Sequence, residues 1–182
     1  VDPRFVDTRN RPVLAQSFAA PGGARFTLAV AHLKSKGASG LNTDPICQTD
    51  PAENLDCDQG DGQGYWNATR TAAARALVEW LAADPTDSGT THALIIGDLN
   101  SYAQEDPVQA IIRGPDDAAG TADDYADQLL RFGGPESYSY VFDGQWGSLD
   151  HALASASLQP RVRSAAEYHI NADEPNVLDY NT

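Results

Sequence analysis

The spacing of apolar positions changes along the chain, and the changes divide it into elements. Pro12 to Phe18 reads as a strand, and Pro21-Gly22-Gly23 supplies a turn after it. Arg25 to Leu33 (RFTLAVAHL) is apolar on both faces, which predicts an interior strand. The period of two puts Phe26, Leu28, Val30 and His32 on one of those faces. From Lys34 to Gly64 the chain is polar and aperiodic, so a long loop is expected, of a kind usually functional or disordered. Trp66 to Ala83 (WNATRTAAARALVEWLAA) predicts a helix from its alanines and helically spaced leucines, ended by Asp84-Pro85.

His92 to Leu99 (HALIIGDL) predicts a second buried strand with a polar end. Asp106-Pro107 opens a short helix through Arg113, with proline at its first position. Gly114 to Asp124 reads as an acidic loop and Tyr125 to Phe132 as another helix. Tyr138 to Phe142 and Ser148 to Ala154 flank Asp143-Gly144, which predicts a hairpin. A strand is expected near Tyr168 to Ile170, followed by an acidic, irregular end. Strands outnumber helices and the two are interspersed, so the expected class is α+β, in layers.

Composition narrows this picture. A chain of 182 residues that is 41% apolar is one domain, or most of one, and holds no run long enough to cross a bilayer. Its 26 acids against 12 bases leave a formal charge of −14, which excludes bulk attraction to nucleic acid. Any phosphate must then be gripped by a local basic patch or through bound cations. Val1 opens directly into Asp2, Pro3 and Arg4, without an initiator Met or an apolar leader, so a piece cut from a longer chain is expected. Cys47 and Cys57 lie close together with polar flanks, which suggests a disulfide and an oxidising compartment. Two free thiols, or a metal pair without its partners, are the other readings.

Three segments carry candidate chemistry. In Ile95-Ile96-Gly97-Asp98-Leu99-Asn100 an apolar strand runs into Asp98, with Asn100 two residues on. If the strand persists, both side chains point the same way. Asp98 suits metal ligation or proton acceptance, and Asn100 suits oxyanion donation or ligation through its carbonyl. An ordinary strand end, with Asp and Asn shaping a turn, is the structural alternative. In Val30-Ala31-His32-Leu33-Lys34-Ser35-Lys36, His32 suits a leaving oxygen or a phosphate, and Lys34 and Lys36 offer local positive charge. In Gly147-Ser148-Leu149-Asp150-His151, Asp150 sits in an otherwise apolar strand and needs a partner, such as a catalytic histidine that it orients. His151 points to the opposite face and reads as structural.

Together the three segments resemble the endonuclease/exonuclease/phosphatase superfamily, with its DNase-I-like fold. Gly97-Asp98-Leu99-Asn100 is similar to that family's Gly-Asp-(Phe/Leu)-Asn signature, and the His32 and Ser148-Leu149-Asp150-His151 segments follow in family order. His32-Leu33-Lys34-Ser35-Lys36-Gly37, the cysteine loop at 37–64, Trp66-Asn67-Ala68-Thr69-Arg70, Tyr138 to Gly144 and Asn171-Ala172-Asp173-Glu174-Pro175 resemble large secreted bacterial nucleases of the ExeM/NucH type. The resemblance implies a two-sheet β-sandwich flanked by helices, with residues 1–182 forming part of one catalytic domain that is incomplete at both ends. An early acidic metal ligand, usually Glu, and a late Ser-Asp-His are not visible. His169 is the one late histidine, and its neighbours do not fit. The chain alone is therefore expected to be inactive.

The resemblance also implies roles. Asp98 activates water or ligates a divalent metal, Mg2+ first and Mn2+ or Ca2+ next, with Asn100 supporting it. His32 contacts the scissile phosphate and Asp150 orients a histidine. Arg70 binds phosphate or makes a structural ion pair, and Asn67 binds substrate or caps the helix. DNA first, and RNA next, is the implied substrate of a secreted, monomeric enzyme, and the likeness supports the disulfide. A different phosphoester, such as sphingomyelin or a phosphate monoester, is the first alternative. A membrane-acting enzyme should show an exposed aromatic hairpin, for which Trp146 is the one candidate. A non-catalytic metal- or glycan-binding module is the second alternative. For it, Asp56, Asp58 and Asp61, or Asp116, Asp117, Asp123 and Asp124, are candidate calcium ligands, though their spacing fits no EF-hand.

Overall fold

A computed structural model describes residues 2–142, 144–169 and 172. The first strand, β1 (Leu14–Ala19), turns through Ala20 to Gly23 into β2 (Arg25–Val30), and the two pair antiparallel from Leu14 opposite Val30 to Ala19 opposite Arg25. The polar segment that follows is not wholly irregular. It carries 3-10 turns at Leu41–Thr43 and Pro51–Glu53 and a one-turn helix, α1 (Pro45–Thr49), capped by Asp44, whose side chain accepts from Ile46 N. Cys47 in α1 is bonded to Cys57, as the sequence suggested. Closing a loop of that separation contributes about 2–3 kcal/mol.

The long helix α2 (Asn67–Ala82) buries Arg70, Ala73, Ala74, Leu77, Val78 and Leu81, a stripe at the three-four spacing of one helical face. Strand β3 (Ala93–Asp98) pairs parallel with β2, and α3 (Asp106–Ile112) packs on α2 beside it. Truncating fully buried Leu77 to Ala would cost about 2–5 kcal/mol.

Two sequence expectations change in the last third. Tyr125–Asp127 is a strand, β4, and only Gln128–Gly133 is helical, α4. Tyr125 and Asp127 alternate inward, and Asp127 caps α4 by accepting from Leu129 N at 2.9 Å and Leu130 N at 3.4 Å. The hairpin is also shorter than expected. Strand β5 (Tyr140–Phe142) pairs with β6 (Gln145–Gly147), while Asp150–Ser155 is a separate strand, β7, paired antiparallel with β3 and β4. The chain leaves the ribbon because Ser139 Oγ accepts from Leu149 N at 3.2 Å and Asp150 N at 3.1 Å, and Leu149 O accepts from Leu99 N at 2.8 Å. Of the strand expected at Tyr168 to Ile170, Tyr168 and His169 are irregular and Ile170 lies outside the described residues, as does most of the acidic end.

The result is a mixed α+β fold around a five-stranded sheet ordered β1-β2-β3-β7-β4, with the β5-β6 ribbon apart from it. Alternation gives the sheet two unlike faces. Ala29, Ala93, Ile95, Leu153 and Tyr125 face the helices and form the core. The other face carries Leu14, Phe18, Phe26, Leu28, Val30, Leu94 and Ile96. Among the described residues no second layer covers it, and Leu14 is 67% exposed.

Candidate functional site

The site lies where β2, β3 and β7 end together. Parallel pairing of β2 and β3 puts Val30 opposite Ile96, and the ladder continues as Ala31 N donates to Ile96 O and Leu33 N to Asp98 O. His32 therefore arrives beside Asp98 on the face bearing Leu28 and Val30. The β3–β7 register sets Asp150 directly opposite Asp98, and cross-strand partners share a face. Three strands thus deliver an imidazole and two carboxylates side by side.

His32 Nε2 is 3.4 Å from Asp98 Oδ2 and 2.9 Å from Arg11 Nη1. A guanidinium has no lone pair, so Arg11 can act only as a donor in this contact. Asp98 Oδ1 accepts from Asn100 N at 2.8 Å. Burial raises the Asp98 carboxyl pKa above its ordinary value. The Asn100 amide, His32 and Arg11 pull it back, while Asp150 pushes it further up. A carboxylate held in this way is a better proton acceptor than a free one.

The Gly97-Asp98-Leu99-Asn100 segment has a local physical reason for each residue. Gly97 sits at φ 131°, and a Cβ there would lie 2.0 Å from Ala31 O, so the close approach of β2 and β3 requires glycine. Leu99 is fully buried. Asn100 turns into the left-handed region at φ 48°, which asparagine tolerates better than most residues. The strand ends at Asp98, so Asp98 and Asn100 are not related by simple alternation as expected. Asn100 Nδ2 donates to Leu33 O at 3.0 Å, leaving its Oδ1 without a partner among the described residues.

Several expected contributors lie in other roles. Asp150 is exposed, not buried, and among the described residues no histidine hydrogen-bonds its carboxylate. His169 instead stacks on Tyr138 at 4.0 Å. His151 is buried on the opposite face, as read, with Nδ1 2.8 Å from Asp127 Oδ2 and Nε2 2.8 Å from Ser101 O. Both partners are acceptors, so both ring nitrogens donate and the ring is an imidazolium. Burial alone would lower its pKa, but the Asp127 and Ser101 hydrogen bonds and the carboxylate charges raise it on balance. Arg70 is 0% exposed, and its guanidinium donates to Ser101 Oγ, Lys34 O, Tyr65 O and Gln63 O. It ties the cysteine loop to the sheet instead of reaching a phosphate. Asn67 neither caps α2 nor faces His32. Its Nδ2 donates to Asp106 Oδ2 at 2.8 Å, while Asp56 caps the helix through Thr69 N and Oγ1. Lys36 is neutralised by Glu105 and lies over Tyr102, whereas Lys34 has no acidic partner among the described residues.

Sequence reading missed Arg11, Asn10 and Asp127. The turn at Gly22-Gly23 was the available signal, because a hairpin closed there carries residues 10–12 back alongside 32–34. The acidic loop brings Asp116, Asp123 and Asp124 together, with oxygens within 4.8 Å of one another. Those oxygens accept from Thr121 and from neighbouring backbone amides, so the loop is self-satisfied.

The chain's donor set at the site is hard and oxygen-based, with the Asp98 and Asp150 carboxylates opposite each other on one face. That chemistry fits Mg2+, Mn2+ or Ca2+ and not a soft metal.

The profile of the Endonuclease/Exonuclease/phosphatase family matches residues 3–167. No curated protein sequence matches the chain. Solved structures similar to it include the human nocturnin catalytic domain with bound sulfate anion, at 18% identity and TM-score 0.48, over 79% of this chain and 40% of that one. The Bacteroides thetaiotaomicron mannosyl-6-phosphatase gives 12% identity and TM-score 0.46, over 80% of this chain and 43% of that one. The Xenopus laevis APE2 catalytic domain gives 11% and 0.46, over 87% and 52%. The chain therefore spans about half the length, or less, of each of these structures.

Proposed function

This chain belongs to the endonuclease/exonuclease/phosphatase family, and from that premise we propose that it carries part of the catalytic centre of a secreted, metal-dependent phosphodiesterase acting on DNA. The observation that carries the reading is His32 Nε2, 3.4 Å from Asp98 Oδ2 and 2.9 Å from Arg11 Nη1, at one end of three adjacent strands. His32 and Arg11 would contact the non-bridging oxygens of a phosphate. Asp98 would orient water for in-line attack and accept its proton. Asp98, Asp150 and the Asn100 carbonyl would hold a divalent cation, Mg2+ first, which when bound stabilises charge on the phosphoryl oxygens. The disulfide supports the extracellular assignment, because such bonds persist in oxidising compartments.

The test is plasmid nicking by the full-length protein, with and without EDTA, beside Asp98→Ala. EDTA should abolish nicking, and Asp98→Ala should slow it by about 100-fold or more. Full activity in Asp98→Ala would remove the site assignment. The second reading, hydrolysis of another phosphoester, predicts turnover of a phosphate monoester or sphingomyelin with no nicking.

A further inference from the structure

Past His32 the extended chain reaches Lys34, two residues on and so on the same side, about 6.6 Å further along. Asn10 Oδ1 accepts from Lys34 N at 2.9 Å and Arg11 N donates to His32 O at 3.1 Å, so residues 9–11 run beside 32–34. Arg9 and Lys34 converge on one aromatic ring. The Arg9 guanidinium lies 4.3 Å above Trp66, and Lys34 Nζ lies 5.6 Å from the same ring. Trp66 is a fixed mount: it is buried, its Nε1 donates to Ala38 O at 3.0 Å, and its backbone N donates to Asp56 O at 2.7 Å.

A cation–π contact of this kind uses none of the guanidinium's N–H donors in a hydrogen bond. Among the described residues no hydrogen bond or ion pair engages the Arg9 side chain. Lys34 Nζ donates to Ser35 O, Ser35 Oγ and Ser39 Oγ, so it acts here as a positioned charge. Partial burial, then the charges of Arg9 and Arg70, hold the Lys34 pKa below its ordinary value. Among the described residues none of the three cations hydrogen-bonds a carboxylate, and an arriving anion would relieve their mutual repulsion. In a chain of net charge −14, this is a local exception with a direction.

We propose that Arg9 and Lys34, mounted on Trp66, form a second phosphate subsite that takes a non-scissile phosphate of a polynucleotide strand, next to the phosphate held by His32 and Arg11. This rests on the hydrolytic reading of the His32–Asp98 site and narrows it: the substrate is a strand with at least two phosphates, not a small phosphate monoester. Arg9 supplies the directional donors and Lys34 the field.

The test measures binding by the full-length protein in EDTA, of a short fluorescent single-stranded DNA and, separately, of thymidine 5′-monophosphate. Arg9→Gln should weaken the oligonucleotide about 5- to 10-fold and lower the slope of log affinity against log salt by about 0.7, the value for one single-strand phosphate contact. Thymidine monophosphate, which fills one phosphate position, should bind as in wild type. Arg9→Lys should restore the slope while recovering only part of the affinity. Circular dichroism reports whether Arg9→Gln is folded, and if it is not, the Arg9→Lys comparison carries the test. An unchanged slope in a folded Arg9→Gln, or equal losses for both ligands, would overturn the subsite. Magnesium-dependent cleavage read in parallel separates the two claims. Wild type that binds through Arg9 but cuts nothing leaves the subsite and removes the hydrolytic reading. Wild type that cuts while Arg9→Gln binds and cuts equally does the reverse.

Discussion

At the scale of single residues, the site stores electrostatic cost where it needs reactivity. Asp98 has a raised pKa in the fold, so the folded state binds its proton more tightly than the unfolded chain does. Stability therefore falls as pH rises from the ordinary aspartate range through the raised value, and the penalty persists above it. Asp98→Asn should melt higher than wild type at neutral pH, with the gap closing in acid, while nicking is lost; a melting series across pH measures both. His151 has the opposite sign. Its raised pKa means that the pair with Asp127 stabilises fully below the ordinary histidine value and fades as pH climbs through the folded one. His151→Gln should cost about 3–5 kcal/mol at mildly acid pH and less at alkaline pH, by urea unfolding. His32, Asp98 and Asn100 were legible because strand ends with polar residues announce themselves. Arg11 and Asp127 were not, because each acts through a partner more than twenty residues away.

Elements show what a period can and cannot reveal. The helix over Trp66 to Ala83 and the strands around Phe26 and Ile95 were readable, since helical spacing ran through the first and near-continuous apolar runs through the other two. Tyr125 to Asp127 was misread as helix because three residues are too short to show a period, and β7, not local propensity, makes them a strand. The ribbon was overextended for a similar reason: Ser139 Oγ takes over two backbone donors, and a side-chain cap leaves no pattern in hydropathy. Gly97 makes the element scale testable. Gly97→Ala places a methyl 2.0 Å from Ala31 O in a backbone conformation that alanine resists. It should destabilise by more than about 1 kcal/mol, read in chemical denaturation. If β2 and β3 separate, His32 leaves Asp98 and activity falls further than stability alone explains. Unchanged stability and activity would mean the strands do not need the close approach.

For the whole molecule, net charge and local charge point in different directions. The acidic total keeps polyanions away from most of the surface, so on the proposed reading encounter with DNA would depend on the short basic strip beside His32 and should be strongly salt-sensitive. The sheet divides in the same way, into a helix-covered core face and a face where Leu14 meets solvent. The covalent link Cys47–Cys57 reaches into this arrangement from outside it. Cys57 follows Asp56, whose carboxylate caps α2 and whose carbonyl receives the Trp66 amide, and Trp66 carries Arg9 and Lys34. On the proposed subsite, a thiol reductant would thus slacken the grip on a phosphate strand without altering any group that touches it. Dithiothreitol titrated against oligonucleotide affinity would show whether the link reaches that far.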